Sequence, residues 1–124
     1  MLPSDRSEPV RIAVTSSQGQ SVDLHFGHTD QFLIFELGPG VAGYVEVRHL
    51  AAQEEAEDQE LEDLDRMVDL VGDCRAVLTM KAGPHARQRL EARGILCVEH
   101  PGGLLDGIAK LRRQLAHWSP VAPH

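Results

Sequence analysis

The sequence contains few cysteines, few aromatic residues and no long apolar run. It holds two cysteines, Cys74 and Cys97, among 124 residues, and their spacing is not that of a metal-binding knuckle. Aromatic residues make up 4% of the chain, so we expect a core built from Leu, Val, Ile and Ala. No apolar stretch approaches membrane-spanning length, and the first residues lack the basic and apolar regions of a signal peptide. These absences predict a cytoplasmic protein without a membrane partner.

The sequence also lacks an excess of basic residues. Its net charge is −7, with 12 Lys and Arg against 19 Asp and Glu. Nucleic-acid binding needs a basic face that displaces counterions from phosphates, so we expect no nucleic-acid partner. Nine of the acidic residues lie between Glu54 and Asp69, where Arg66 is the only base. We interpret this acidic segment, 54–69, as a solvated helix face or linker, with a contact surface for a protein partner as the alternative.

Motifs of the common enzyme classes are missing as well. No glycine-rich phosphate loop follows the first predicted strand, and no serine has the elbow motif of a hydrolase nucleophile. Ser16 and Ser17 follow this strand, but serines in such places more often shape a turn. A nuclease of the ribonuclease H type needs acidic residues in its central strands to hold Mg²⁺, and the first strand offers Ile12, Ala13 and Val14. The sequence therefore favours a binding protein over an enzyme.

Apolar patterning predicts one domain over residues 10–118, between loose tails at 1–9 and 119–124. Five strands are predicted, at residues 11–15, 31–37, 44–49, 76–79 and 95–99. Three helices are predicted, from Gln59 to Val71, from Pro84 to Arg93 and from Leu104 towards Trp118. Cys74 precedes a core strand and Cys97 lies inside one, so both are expected as small buried side chains.

The order of these elements predicts an α/β fold with a five-stranded mixed sheet and helices on both faces. The segment Gly-Pro-Gly-Val-Ala-Gly at 38–43 favours an antiparallel hairpin between the second and third strands. The last part of the chain is a βαβ succession, for which parallel strands and right-handed crossovers are expected. We expect the strand order 3-2-1-4-5, with the first and fourth strands adjacent in the middle. Ligands of open α/β sheets bind at such a switch point, outside the carboxyl ends of the strands.

Three loops are expected at that edge of the sheet, at residues 16–30, 80–84 and 100–103. Four of the seven histidines lie on or beside these loops: His25, His28, His85 and His100. Neutral imidazole binds iron and other transition metals, and we take His25 and His28 as candidate metal ligands. Four glycines would let the backbone approach a bulky ligand closely: Gly27, Gly83, Gly102 and Gly103. With the charge of Lys81 and two helix N-termini, these loops predict a site for an anionic metal cluster.

Two segments resemble the dinitrogenase iron–molybdenum cofactor biosynthesis family. "RIAVTSSQGQSVDLHFGHTDQFLIFEL" (11–37) is similar to the opening of the family domain, and "DCRAVLTMKAGPHARQRLEARGILCVE" (73–99) is similar to its second half. The resemblance implies a three-layer ribonuclease H-like fold. It also implies binding of an iron–molybdenum cofactor or its iron–sulfur precursor, with the motif histidine of the family at His25 in His25-Phe26-Gly27. The chain would then be a non-catalytic carrier in metallocluster biosynthesis, with cofactor donor or acceptor proteins as partners.

The resemblance leaves other ligands open. An orange-protein-like relative carries a molybdenum–copper sulfide cluster, which is an alternative cargo, and a metal-free regulatory or interaction module is a further alternative. Many family members carry cysteine after the third strand, whereas "AAQEEAEDQELEDLD" (51–65) has no thiol here. This departure implies transient holding by imidazole, which suits a carrier that releases its cargo. We expect protein purified in air to be empty, and the chain to be a monomer or a weak dimer.

Overall fold

The computed structural model describes residues 10–27, 29–50 and 59–118. The predicted tails at 1–9 and 119–124, residues 51–58 and His28 lie outside the described residues. The elements within the described ranges, in chain order, are β1 Val10–Val14, β2 Ser21–Val22, β3 His25–Phe26, β4 Gln31–Gly38, β5 Val41–His49, α1 Gln59–Leu70, β6 Ala76–Thr79, β7 Lys81–Ala82, α2 Pro84–Ala92, β8 Leu96–Glu99, β9 Gly102–Gly103 and α3 Leu104–Ala116. No helix in these ranges is both long and apolar enough to cross a membrane.

Five of the strands form one mixed sheet in the order β5-β4-β1-β6-β8. Strand β1 runs antiparallel to β4 and parallel to β6, and β6 runs parallel to β8. The predicted five-stranded mixed sheet of the α/β class is confirmed. Because β1 and β6 are parallel neighbours, their carboxyl ends meet at the same edge of the sheet, and the segments that follow them begin side by side.

Helices cover both faces of this sheet. On one face, Val68 of α1 and Leu90 of α2 belong to the same core cluster as Val77 of β6. On the other face, Leu111 of α3 belongs to a second cluster with Leu78. All four residues of β6 are buried, as expected of a parallel strand that is covered on both sides. Each fully buried aliphatic side chain contributes roughly 1.5–3 kcal/mol relative to leaving it exposed, so these two clusters hold the layers together.

The β4–β5 hairpin forms one end of the sheet. The glycine-rich turn predicted at 38–43 does join two antiparallel strands, although β5 begins at Val41, three residues before the predicted start. The turn is shorter than predicted because Gly40 adopts a positive φ of 69° and reverses the chain at once. A register shift between Ile34 and Phe35 of β4 leaves Val45 of β5 without a partner, which marks a bulge in β5. Strand β5 lies at the sheet edge, and both of its faces are largely exposed, with Val45 and Val47 each 38% exposed.

The segment between β1 and β4 is more ordered than the sequence indicates. It was expected as a loop without secondary structure, but it contains β2 and β3. Strand β2 pairs antiparallel with β9, and β3 pairs in parallel with β7. All four of these strands are two residues long, which is too short for an apolar period to be detected. Their pairing joins the three segments that were predicted as separate loops.

Candidate functional site

Two buried threonines lie where β1 and β6 end. Thr15 follows β1, Thr79 ends β6, both are 0% exposed, and their Oγ1 atoms lie 2.8 Å apart. The Thr15 hydroxyl is 2.6 Å from the carbonyl oxygen of Leu24, and the N–H of Phe26 donates to Thr79 Oγ1 at 3.0 Å. Buried backbone groups need such partners because water cannot reach them. The threonine pair therefore fixes the backbone on both sides of His25.

His25 and Lys81 are paired across the short parallel ladder of β3 and β7, and Phe26 is paired with Ala82. Successive side chains of a strand project to opposite faces, so His25 and Lys81 share one face of this ladder. Both are exposed, whereas Phe26 and Ala82 are 2% and 8% exposed on the other face. The phenyl ring of Phe26 packs against Phe32 at a centroid distance of 5.5 Å. Phe26 thus anchors β3 in the core while His25 is presented outward beside a positive charge.

The opposite face of this ladder borders a small cavity of about 140 Å³ at the start of α2. The cavity is lined by Phe26, Gly27, Leu64, Gly83, Pro84, His85 and Ala86. Gly27 has a φ of +103°, a conformation that L side chains rarely adopt, so a glycine is required there. Pro84 opens α2 as predicted, and Gly83 precedes the helix without a side-chain cap. Four predicted site residues, Phe26, Gly27, Gly83 and His85, are therefore brought together.

His100 lies apart from this cavity. It follows β8, and its N–H donates to the carbonyl oxygen of Thr79 at 2.9 Å. Its ring carbon Cδ2 lies 3.2 Å from the position that a Cβ on Gly107 would occupy, so the half-buried imidazole packs against α3. The histidines predicted near one edge are thus distributed: His25 is exposed on β3, His85 lines the cavity and His100 contacts α3.

Gly102 and Gly103 do not line the cavity. They hold the segment that carries His25 in place. They form β9, which pairs with Val22 and Ser21 of β2. The N–H of Leu104, at the start of α3, donates to the carbonyl oxygen of Gln20 at 3.0 Å. These contacts tie the segment that carries His25 to the end of the sheet from which α3 begins.

The serines after β1 shape a turn, as the sequence indicates. The hydroxyl of Ser17 donates to Asp23 at 2.6 Å and its N–H donates to the same carboxylate at 2.9 Å. The hydrogen bond from the Ser17 hydroxyl is the main cause that lowers the pKa of the Asp23 carboxyl. Ser16 donates to the carbonyl oxygen of Ser21 at 2.6 Å. Both hydroxyls are therefore engaged in folding the segment between β1 and β2.

Comparison with known proteins decides the family. The family model described as dinitrogenase iron–molybdenum cofactor matches residues 8–114 of the chain. The chain belongs to the dinitrogenase iron–molybdenum cofactor family. Over 100 residues it is 37% identical to the FeMo cofactor biosynthesis protein NifB of Frankia alni, a match that covers 78% of this chain and 20% of the relative. Over 96 residues it is 26% identical to Protein NifX of Rhodobacter capsulatus, covering 75% and 60% of the two chains.

The lengths differ between this family member and its relatives. The chain spans 20% of the Frankia alni NifB and 28% of the Klebsiella pneumoniae NifB that it matches. Its fold is shared with the crystal structure of PH0822 at a TM-score of 0.61, covering 87% of this chain and 92% of that one at 18% identity. The matches to NifB thus cover only a part of each longer protein.

The cysteines of this family member are not placed to bind a ligand. Cys74 and Cys97 are 4% and 3% exposed. Burial raises the pKa of the Cys74 thiol to about 12 and that of the Cys97 thiol to about 11. Both thiols lie in the core cluster that contains Val77, away from a ligand at the surface. Both act as small core side chains, as predicted from their positions in the sequence.

No group of three or more His, Cys, Asp or Glu side chains that could hold a metal ion is found in the part of the chain that the structure describes, which excludes His28.

Part of the predicted acidic segment is used within the fold: Asp65 and Asp69 of α1 form ion pairs with Arg89 and Arg93 at 2.8 and 2.9 Å. These pairs join α1 to α2 and to the residue that caps the end of α2.

Sequence reasoning missed Thr15 and Thr79 as part of the site. Each is a polar residue that directly follows an apolar run, Ile12-Ala13-Val14 in one case and Ala76-Val77-Leu78 in the other. The first and fourth strands were expected to be neighbours, so a polar residue at each carboxyl end was a usable signal. The sequence did not indicate the hydrogen-bond partners of these hydroxyls, which are backbone groups on either side of His25.

Proposed function

We propose that this chain is a non-catalytic carrier that binds an iron–molybdenum cofactor or its iron–sulfur precursor during metallocluster biosynthesis. The observation that carries the proposal is the exposed imidazole of His25 on a strand whose backbone is held on both sides, next to the ammonium of Lys81. Membership of the family supports the class of cargo, and two relatives are named as NifX and as the FeMo cofactor biosynthesis protein NifB.

The chemistry of this surface suits an anionic metal–sulfur cargo. A neutral imidazole offers one nitrogen lone pair to a metal, which makes His25 the proposed ligand. The Lys81 side chain supplies a positive charge on the same face, which favours a cluster that carries negative charge. We propose His28 as a second ligand, although it lies outside the described residues. The surface beneath the cargo would be formed by Phe26, Gly27, Gly83 and His85. His100 would bound this surface on the side of α3.

The same surface supports transient rather than permanent binding. Both thiols are buried in the core, so neither is placed to bind a cargo on this surface. Attachment through one or two imidazoles lets a donor deliver the cluster and an acceptor with more ligands remove it. We propose such donor and acceptor proteins as partners. Nothing in the described residues favours the molybdenum–copper sulfide cluster over the iron-containing cargo.

Two further proposals concern the extent of the domain and its fold group. We propose that residues 10–118 form one cargo-binding domain, which is supported by the core clusters on both faces of one sheet. We also propose that this domain belongs to the ribonuclease H-like group, which its mixed sheet order supports. The nuclease chemistry of that group is not proposed, since β1 presents Ile12, Ala13 and Val14 where the acidic residues would be needed.

Anaerobic titration with isolated iron–molybdenum cofactor tests the carrier proposal. We expect a protein-bound visible chromophore, with iron and molybdenum co-eluting with the chain. His25→Ala should weaken binding by roughly 10–100-fold, the usual cost of disturbing a metal ligand or its partners. His117→Ala is the matched control, because His117 is also exposed but caps the far end of α3. Equal affinities of the wild type and His25→Ala would contradict the assigned role of His25.

A further inference from the structure

We propose that Thr79, together with Thr15, is a positioning residue that sets the direction of the His25 imidazole. This inference rests on the proposed function, because it concerns how the cargo ligand is held. Thr79 and Thr15 are 0% exposed, so neither touches the cargo itself. Their effect on binding would pass through the backbone of β3.

Proton counting gives the direction of the hydrogen bonds. Thr15 Oγ1 lies 2.6 Å from the Leu24 carbonyl oxygen and 2.8 Å from Thr79 Oγ1, but one hydroxyl donates only one proton. A carbonyl oxygen can only accept and its contact is the shorter one, so Thr15 donates to Leu24. Thr79 accepts the N–H of Phe26, and its own hydroxyl lies near three acceptors: Thr15 Oγ1 at 2.8 Å, the Leu24 carbonyl at 3.2 Å and the Lys81 carbonyl at 3.3 Å. The two hydroxyls thus form a chain of contacts from Phe26 N–H to Leu24 C=O.

This series of hydrogen bonds forms a closed ring around His25. The two backbone groups at its ends, the Leu24 carbonyl and the Phe26 amide, belong to the peptide units on either side of His25. The Met80 N–H also donates to the Leu24 carbonyl at 3.1 Å, which links the ring to the strand end that leads to Lys81. A two-residue ladder such as β3–β7 is weak on its own. The buried hydroxyls therefore supply the constraint that keeps His25 aimed outward beside Lys81.

Thr79→Val is the informative variant, since valine keeps the shape of threonine and removes the hydroxyl. We expect it to fold, to weaken the binding of isolated iron–molybdenum cofactor about tenfold, and to be rescued by Thr79→Ser. Thr15→Val removes the shorter contact to the Leu24 carbonyl and should weaken binding in the same direction. It serves as the second variant if Thr79→Val does not fold.

A double-mutant cycle separates positioning from general stability. If Thr79 acts through His25, Thr79→Val costs about tenfold in affinity in the wild-type background and nothing further in the His25→Ala background. An equal loss in both backgrounds would mean that the hydroxyl only stabilises the fold, and would overturn the inference.

Nuclear magnetic resonance of the cargo-free protein keeps this inference testable by itself. Thr79→Val should shift the ring resonances of His25 and speed amide exchange at Phe26, whereas Thr79→Ser should restore both. Unchanged His25 and Phe26 signals in Thr79→Val would overturn the positioning role even if the carrier proposal stands. Shifted signals, together with cargo binding that does not depend on His25, would leave the positioning role in place and remove the proposed role of His25 as the cargo ligand.

Discussion

His25 and Lys81 are far apart in the sequence but are register partners on β3 and β7, where the parallel strands β1 and β6 end. Their side chains project from the same face of that short ladder, and both are exposed. The imidazole and the ammonium group are brought together by the fold, since each follows a different central strand. This pairing is the basis for treating the sheet edge as a surface for an anionic cargo.

Lys81→Ala tests the contribution of charge at this surface. We expect the affinity for iron–molybdenum cofactor to fall about twofold to fivefold at low salt, because an exposed charge of this kind is worth about 1 kcal/mol or less. The loss should shrink as ionic strength rises, since salt screens exposed charges. Titrations at two salt concentrations measure both effects.

Arg113→Ala is the control for Lys81→Ala. It removes the same charge from an exposed position in the last turn of α3, at the opposite end of the helix from Gly103. We expect its affinity to match the wild type. An equal loss in the two variants would show that only the net charge of the chain matters.

Leu111→Ala tests the core under α3. Leu111 is 0% exposed and belongs to the cluster that contains Leu78, so its truncation should lower the free energy of unfolding by about 2–5 kcal/mol. Leu105→Ala makes the same change on the same helix, but Leu105 is 78% exposed and its loss should stay within about 0.5 kcal/mol. Urea unfolding measures both; similar values for the two would mean that α3 does not pack as described.

Asp73→Asn tests an ion-pair network at the end of α1. Hydrogen bonds from Arg48 at 2.6 and 3.0 Å, with Arg11 at 3.1 Å, hold the pKa of the Asp73 carboxyl well below its usual range. A lowered pKa adds stability that is present above the unfolded value of about 3.9 and is lost as pH falls through the folded value. Asp73→Asn should therefore cost about 1 kcal/mol at pH 7, a modest loss because the carboxylate is half-exposed.

The pH dependence is the specific part of that prediction. The deficit of Asp73→Asn should persist down to about pH 4 and shrink below it, as the wild type loses its charged carboxylate. Asp30→Asn, which removes an exposed carboxylate elsewhere, is the control. Urea unfolding between pH 2 and pH 7 provides the measurement, and a deficit that stays constant over this range would argue against the network.

Because both thiols are buried, we expect their chemical modification to be slow. Because burial raises the pKa of Cys74 and Cys97 to about 12 and about 11, the native protein should not react with a thiol-specific disulfide reagent at pH 8. In guanidinium chloride both thiols should react. Fast reaction of either thiol in the native state would mean that a cysteine sulfur is a possible cargo ligand.

Much of the fold could be predicted because its signals are local. The apolar run 76–79, the glycine-rich turn after β4 and Pro84 at the start of α2 each define an element by themselves. Strands β2, β3, β7 and β9 could not be predicted, since two residues have no period and their partners lie far away in the chain.

The candidate site was less accessible to sequence reasoning. The segments around His25 and Lys81 were expected at one edge, and their register pairing fits that expectation. The burial of His100 against α3 depends on Gly107, whose missing Cβ leaves room for the imidazole. The roles of Thr15 and Thr79 depend on backbone groups in another segment. Such relationships arise from packing between distant parts of the chain, which no local pattern encodes.

Pulsed electron paramagnetic resonance on the loaded carrier tests the central claim most directly. Protein whose histidines carry ¹⁵N would be loaded anaerobically with the iron–molybdenum cofactor in a paramagnetic state. The account predicts a ¹⁵N hyperfine coupling from metal-bound imidazole in the wild type and in His117→Ala, and a reduced coupling in His25→Ala, where only the proposed second ligand, His28, is left. A coupling that survives unchanged in His25→Ala, or bound cofactor without any histidine coupling in the wild type, would contradict it.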